Sequence, residues 1–142
     1  MLFRSFAART FPSDLHARAT DALERVGLAK YAAQRAGTLS GGQAQRVAVA
    51  RALCQRARVI MADEPVASLD PRAADSVLEL LADVAHNENL GVIVVLHQPE
   101  LARRYADRLV GFHDGRVAFD RPPAQVSEGE VDALYGQDDD ER

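Results

Sequence analysis

The chain has 142 residues, a formal charge of −4, and 47% apolar against 27% charged residues, a balance that builds a packed core and fits neither a disordered nor a disulfide-dense class. Its single cysteine, Cys54, excludes an intrachain disulfide and fits a reducing compartment, with the thiol expected as buried packing. The acidic balance, concentrated in Asp138-Asp139-Asp140-Glu141, argues against nucleic acid as a partner, and the longest apolar run, residues 91–96, is too short to cross a bilayer.

The first residues, Met1 to Thr10, are basic, free of acids and mildly amphipathic; they superficially resemble an organelle transit sequence and lack the continuous apolar core of a secretory signal. Ser13 predicts a cap for a helix over 14–26, with Leu15, Ala19, Ala22, Leu23 and Val26 at helical spacing and Gly27 as its stop. A short helical turn is expected at Tyr31 to Gln34. Ser40 with Gln43 three residues on forms a capping box that starts a helix over 41–55, with Val47, Ala50, Leu53 and Cys54 as its buried stripe. Gly41 and Gly42 fall in its first turn, where each costs about 1 kcal/mol relative to alanine. Bare backbone N–H groups at a helix N-terminus let an anionic oxygen approach closely, which gives that cost a use.

Val59 to Ala62 is apolar without alternation and predicts a strand covered on both faces in a parallel sheet, ending on the carboxylate pair Asp63-Glu64. Asp70-Pro71 is an N-cap with proline at the first helical position. The helix it starts runs to about His86, with Ala74, Val77, Leu78, Leu81 and Val84 inward and His86 as a surface residue. After a turn at Asn87 to Leu90, Val92 to Leu96 predicts a second buried parallel strand with His97 at its carboxyl end. Ligands collect at the carboxyl ends of strands in open α/β sheets, so Asp63, Glu64 and His97 are expected to converge there. Pro99 to Tyr105 reads as a short helix. Leu109 to Phe112 and Val117 to Phe119 flank an Asp114-Gly115 hairpin signal, with His113 as an exposed turn residue. Short helical turns at Ala124 to Val126 and Val131 to Leu134 close the chain.

Leu39-Ser40-Gly41-Gly42-Gln43 resembles the signature motif of ATP-binding cassette (ABC) ATPases. Val59 to Glu64 is similar to their Walker B strand, Ser68-Leu69-Asp70 to their D-loop, and His97 to their switch histidine. These motifs stand in family order, and the likeness runs from about Asp21 to about Tyr135. Ala22 to Leu28, Gln34-Arg35-Ala36, Ala62 to Pro71 and Leu96-His97-Gln98 with Tyr105 further resemble the ATPase subunit of phosphonate importers; importers of methionine, polar amino acids and other oxyanions share most of the same letters. No Gly-x-x-x-x-Gly-Lys-Ser/Thr phosphate loop occurs in the sequence, and the first glutamine, Gln34, lies too near the signature to be the family's Q-loop. The resemblance therefore implies an α/β, partial P-loop NTPase (ABC ATPase) fold, a parallel sheet flanked by helices without the Walker A strand and loop. The chain reads as a C-terminal fragment divided into a helical-subdomain remnant at 1–38, the C-terminal part of the ATPase core at 39–137 and an acidic tail at 138–142. On that reading Met1 to Thr10 is the tail of a helix rather than a leader, and Val92 to Leu96 has an unpaired edge open to other chains.

By the same resemblance, the cofactors are ATP and Mg²⁺. Asp63 holds Mg²⁺ directly or through water, Glu64 is the general base toward the attacking water, and His97 hydrogen-bonds the γ-phosphate. Ser40, Gly41, Gly42 and Gln43 bind the γ-phosphate of ATP seated on a second subunit, with Asp70 at the same dimer interface. The implied partners are that second ATPase subunit, transmembrane permease subunits and, indirectly, a substrate-binding protein. The implied location is the cytoplasmic face of the cell membrane. Two other readings stay open: a non-catalytic module that keeps only the dimer face, and a soluble ABC ATPase of DNA repair. The second sits poorly with the lack of heptads and of cysteine pairs.

Overall fold

The computed structural model describes residues 13–135; the expectations for Met1 to Thr10 and for the acidic tail lie outside the described residues. The elements run α1 (Ser13–Arg25), α2 (Gly41–Cys54), β1 (Val59–Asp63), α3 (Pro71–Glu88), β2 (Gly91–Val95), α4 (Pro99–Tyr105), β3 (Leu109–His113), β4 (Arg116–Arg121) and α5 (Glu128–Tyr135), with single 3-10 turns at Ala29–Tyr31, Ala36–Thr38 and Pro123–Gln125.

Local chemistry sets the boundaries. Gly27 takes φ +70 after α1, and Leu28 N–H reaches back to the Leu23 carbonyl at 2.7 Å, an αL stop that a side chain would strain. Ser40 caps α2 as expected: its hydroxyl accepts from Gln43 N–H at 3.3 Å while Gln43 Oε1 accepts from Ser40 N–H at 2.9 Å. The Asp70 carboxylate accepts from Arg72 and Ala73 N–H at 3.1 and 3.0 Å, and Pro71 opens α3. Asn89, left-handed at φ 51, ends it.

α1 packs on α2, α2 on α3, and α3 on β2 and α4. The core sits where these helices meet the sheet, around Val26 and Val77 at 0% and 1% exposure, with Ala74, Leu78, Leu81 and Val84 inward as the helical spacing requires. Leu80 joins them, and Ala22 and Val49 complete the α1–α2 contact. Two arginines clamp these helices from the side. Arg46 donates from Nη1 to the Val26 carbonyl at 2.9 Å and from Nη2 to the Ser76 carbonyl and hydroxyl. Arg18 donates to the Cys54 carbonyl. Cys54 itself is half-buried rather than buried.

β1 and β2 pair in parallel and in register, Val59 opposite Gly91 through Asp63 opposite Val95. The expectation of strands covered on both faces does not hold. Ile60, Val92 and Val94 turn toward the helices, whereas Val59, Met61, Ile93 and Val95 are 52%, 79%, 54% and 48% exposed. An apolar run without alternation suits cover on two sides; among the described residues, helices supply it on one only. β2 pairs with β1 alone, so its second edge is unpaired among the described residues.

The hairpin β3–β4 is a separate two-stranded sheet, closed by Asp114 and Gly115 at φ 47 and 70, the left-handed pair of a two-residue turn. His113 is not a turn residue: it ends β3, half-buried, with the Asp114 carboxylate 3.6 Å from Nε2. His86 is on the surface as expected but is bound there, 3.1 Å from Asp107. Gly111 lies under the Phe119 ring and α5, and Arg103 on α4 donates to the Val126 and Ser127 carbonyls at 2.8 and 2.9 Å, fastening the C-terminal segment. Among the described residues no helix is long and apolar enough to cross a membrane.

Candidate functional site

At the carboxyl end of β1 the backbone leaves the sheet through Glu64, which takes φ 45 although it is not glycine. A left-handed conformation in an L-residue costs roughly 1–2 kcal/mol. The neighbouring strand holds it: Glu64 N–H donates to the Val95 carbonyl at 3.1 Å, extending the ladder one residue past β1. The turn brings the Glu64 carboxylate to 2.8 Å from His97 Nε2, just beyond β2. The carboxylate oxygen accepts, and the ring nitrogen donates, in the tautomer that carries its hydrogen on Nε2. Both side chains are open to solvent, 45% and 68% exposed, and a polar contact so placed contributes little to stability. Its geometry, a carboxylate oriented by an imidazole in the open, suits chemistry on a ligand better than it suits holding the fold.

Asp63 is the last residue of β1 and exposed. Among the described residues no group of three or more His, Cys, Asp and Glu is assembled that could cage a metal. One hard carboxylate oxygen is nonetheless what Mg²⁺ takes from a protein when phosphates and water complete its octahedron. The donor set thus fits a metal that arrives with a nucleotide.

The second group of expected site residues lies at the start of α2. The two capping bonds engage Ser40 and Gln43 and leave the Gly41 and Gly42 amides outside them, at the positive end of the helix. The two glycines differ. A Cβ on Gly41 would stand 2.9 Å from Leu69 Cδ2, so the signature turn packs directly on the Ser68-Leu69-Asp70 segment. This contact, not foreseen from the sequence, is one reason for glycine there. A Cβ on Gly42 would meet only Ala73 Cβ, at 3.5 Å, an ordinary contact. Asp70 is taken up in capping α3. The structure therefore brings Glu64 to His97, and Gly41 and Gly42 to the Leu69–Ala73 segment; no hydrogen bond joins the two groups among the described residues.

Residues that sequence reasoning passed over tie these groups to the body. Asp75 on α3 accepts from Arg104 Nη1 at 2.9 Å and from the Tyr105 hydroxyl at 2.8 Å, fixing α4, which follows His97, to the helix that follows Asp70. Desolvation raises the Tyr105 pKa, with the Asp75 carboxylate adding to it. The other is Arg46, whose spacing from Ser76 gives no sequence signal.

Comparison with known proteins follows the same lines. The family profile described as ABC transporter matches residues 2–67. The phosphonates import ATP-binding protein PhnC of Stutzerimonas stutzeri is 53% identical over 128 residues, covering 90% of this chain and 46% of that protein. The protein of the same name from Nocardia farcinica is 51% identical over 130 residues, covering 92% and 48%. The chain spans about half the length of the curated relatives it matches. Among solved structures, a putative metal-chelate type ABC transporter in an inward-facing conformation superposes with a TM-score of 0.83 at 28% identity, over 94% of this chain and 52% of that one. CbiO1 of Clostridium perfringens, part of an ABC transporter complex, gives 0.77 at 31% identity over 86% and 49%. The chain is similar to the ATP-binding subunits of ABC transporters, those of phosphonate import among them, and its fold is like that of their ATPase over the part that it spans.

Proposed function

We propose that the chain contributes the hydrolytic carboxylate, the switch histidine and the signature turn of a transport-coupled ABC ATPase that powers phosphonate uptake through separate permease subunits. The observation that carries this reading is the Glu64–His97 contact of 2.8 Å at the carboxyl ends of two parallel strands, on a backbone turn strained to make it. Glu64 orients the attacking water and takes its proton, and His97 holds the carboxylate through Nε2, the same N–H being the one it offers to the terminal phosphate when a nucleotide is bound. Asp63 supplies one oxygen to Mg²⁺, which when bound neutralises charge on the phosphates. The Gly41 and Gly42 amides, free of the capping bonds, present the positive end of α2 to the γ-phosphate of a nucleotide on a second ATPase subunit, with Asp70 at that interface. ATP is the nucleotide, and the chain works at the cytoplasmic face of the membrane. Residues 1–38 belong to the helical subdomain and 39–137 to the ATPase core.

The test is hydrolysis in vesicles that carry the permease subunits with the assembled ATPase. A rate that rises with a phosphonate substrate and not with methionine or a polar amino acid is the expected result; the reverse response overturns the substrate assignment. Gly42→Ala is the companion variant, because its methyl group meets Ala73 without displacing it. It keeps the fold, stabilises the helix by up to about 1 kcal/mol, and weakens ATP-driven dimerisation.

A second reading, a module that binds without turnover, is favoured by the lack of a Gly-Lys-Ser/Thr phosphate loop in the sequence. The two readings share one expectation: helix amides alone give the 142-residue chain an ATP affinity no tighter than roughly millimolar. Calorimetric binding below micromolar would mean an unrecognised phosphate loop.

A further inference from the structure

The two groups of candidate site residues share no hydrogen bond among the described residues, but the segments that carry them face each other across a cleft of about 230 Å³. Leu69 and Pro71 line one side of it, and Gln98 and Leu101, just past His97, line the other. Leu69 is also the residue on which Gly41 packs, so the cleft separates the support of the signature turn from the chain that carries His97. α4 does not pin its own start, because its N-cap, Gln98, makes no side-chain capping bond. Asp75, near the start of α3, lines the same cleft. Its Oδ1 accepts from the Tyr105 hydroxyl at 2.8 Å and from Arg104 Nη1 at 2.9 Å, at the end of α4. Neither helix needs that contact in order to form, since Asp70 caps α3 and Pro99 opens α4. The two donors are unequal. The Arg104 side chain is 61% exposed, where an ion pair contributes little, whereas Tyr105 packs on the core and burial raises its pKa, so the hydroxyl keeps the proton it donates.

We propose that Asp75 and Tyr105 are positioning residues, whose hydrogen bond sets α4 against α3 across the cleft and thereby keeps His97 at Glu64 and at a fixed distance from the Leu69–Asp70 turn. α4 is seven residues of helix and moves as one body, so fixing its end at Tyr105 fixes its start beside His97. The same bond acts on the other group through α3, which begins where the Leu69–Asp70 turn ends. Neither residue takes part in chemistry on a ligand; each acts through the segment it holds. The inference rests on the proposed ATPase reading for its effect on turnover only, and its effect on the place of His97 stands on the geometry.

The experiment reads both sides of the cleft in the full 142-residue chain: the ring nitrogens of His97 by NMR, and hydrogen exchange at the Leu69 amide, which donates to the Val66 carbonyl at 3.1 Å. Tyr105→Phe keeps the ring and removes the donor. It should shift the His97 ring nitrogens and speed exchange at Leu69 by about 10-fold. Asp75→Ala reaches the same bond from the other partner and should do the same, and the double variant should add little, because both changes remove one interaction. His86→Asn breaks the contact between α3 and Asp107, past the end of α4, and should leave both readings unchanged. Readings unchanged in Tyr105→Phe and Asp75→Ala overturn the proposal. So does a change that spreads equally to the hairpin amides or appears equally in His86→Asn, which would make the contact a support of the fold at large. In the assembled ATPase, Tyr105→Phe should lower kcat by about 10-fold and leave KM for ATP within about twofold, since a displaced His97 acts on the reacting phosphate rather than on nucleotide binding. A raised KM at unchanged kcat would overturn the role in turnover. If the wild-type assembly does not hydrolyse ATP, the ATPase reading falls, and the His97 and Leu69 readings alone decide whether the clasp positions His97.

Discussion

The parallel pair β1–β2 and the hairpin β3–β4 are both two-stranded sheets, and they are stabilised in opposite ways. The hairpin is closed by its own turn, and its neighbours are near in sequence. Arg108 pairs with Asp120, Arg121 with Glu130, and Gly111 lies against both Phe119 and Leu134 of α5. The parallel pair has no turn of its own. It depends on α3, the crossover that links the strands, and on α2 for the cover on one face, and among the described residues the other face is open. The candidate site, Asp63, Glu64 and His97, is on the sheet that is less complete. A site at the carboxyl ends of parallel strands is thus assembled from long-range contacts, while the self-sufficient hairpin carries none of it.

The largest effect should come from removing what the parallel pair depends on. Leu78, 2% exposed on α3, faces the core, and Leu78→Ala should cost about 2–5 kcal/mol, read as a drop in the urea midpoint. A midpoint within error of the wild type would mean that α3 does not support the sheet. The hairpin should break instead by overfilling. A methyl group on Gly111 would stand 2.6 Å from the Phe119 ring and 2.9 Å from Leu134, and Phe119 is itself buried, so Gly111→Ala should cost about 1–3 kcal/mol. The signature of a local break is loss of the near-ultraviolet signal of Phe119 before that of Tyr31 on the helical side.

A smaller effect separates the regions by pH. Ser127 N–H and hydroxyl, then Arg121, hold the Glu130 pKa down from 4.5 to about 2. The folded pKa lies below the unfolded one, so this contribution is fully present above about pH 4.5 and is lost as pH falls toward 2. Amide resonances of α5 should report that loss, and Glu130→Gln should remove the pH dependence while leaving the amides of α2 unaffected. α2 has the same capping device built from an uncharged glutamine, Gln43.

Where one or two residues decide the backbone, the sequence was a sufficient guide. Ser40 with Gln43, Asp70 with Pro71, and Asp114 with Gly115 each do what their chemistry requires. The Ser127–Glu130 capping box of α5 is equally local, and Ser-x-x-Glu is its written signal, outside the expectation of a turn at Val131 to Leu134. The convergence of Glu64 and His97 followed from two strands ending side by side. The left-handed turn at Glu64 did not, because the Val95 carbonyl that holds it lies 31 residues away. Nor did the bridge from Arg46 to Val26 and Ser76, which depends on how three helices pack. The open face of the sheet is not legible for a related reason: residues 59–62 state that they are apolar, not what covers them.

The central claim, that Glu64 is the base of an ATPase, is tested most directly by Glu64→Gln in the assembled enzyme, measuring ATP binding and hydrolysis together. The amide keeps the shape and cannot take a proton, so turnover should fall by at least about 100-fold while nucleotide binding is retained. Hydrolysis at the wild-type rate in that variant would contradict the account.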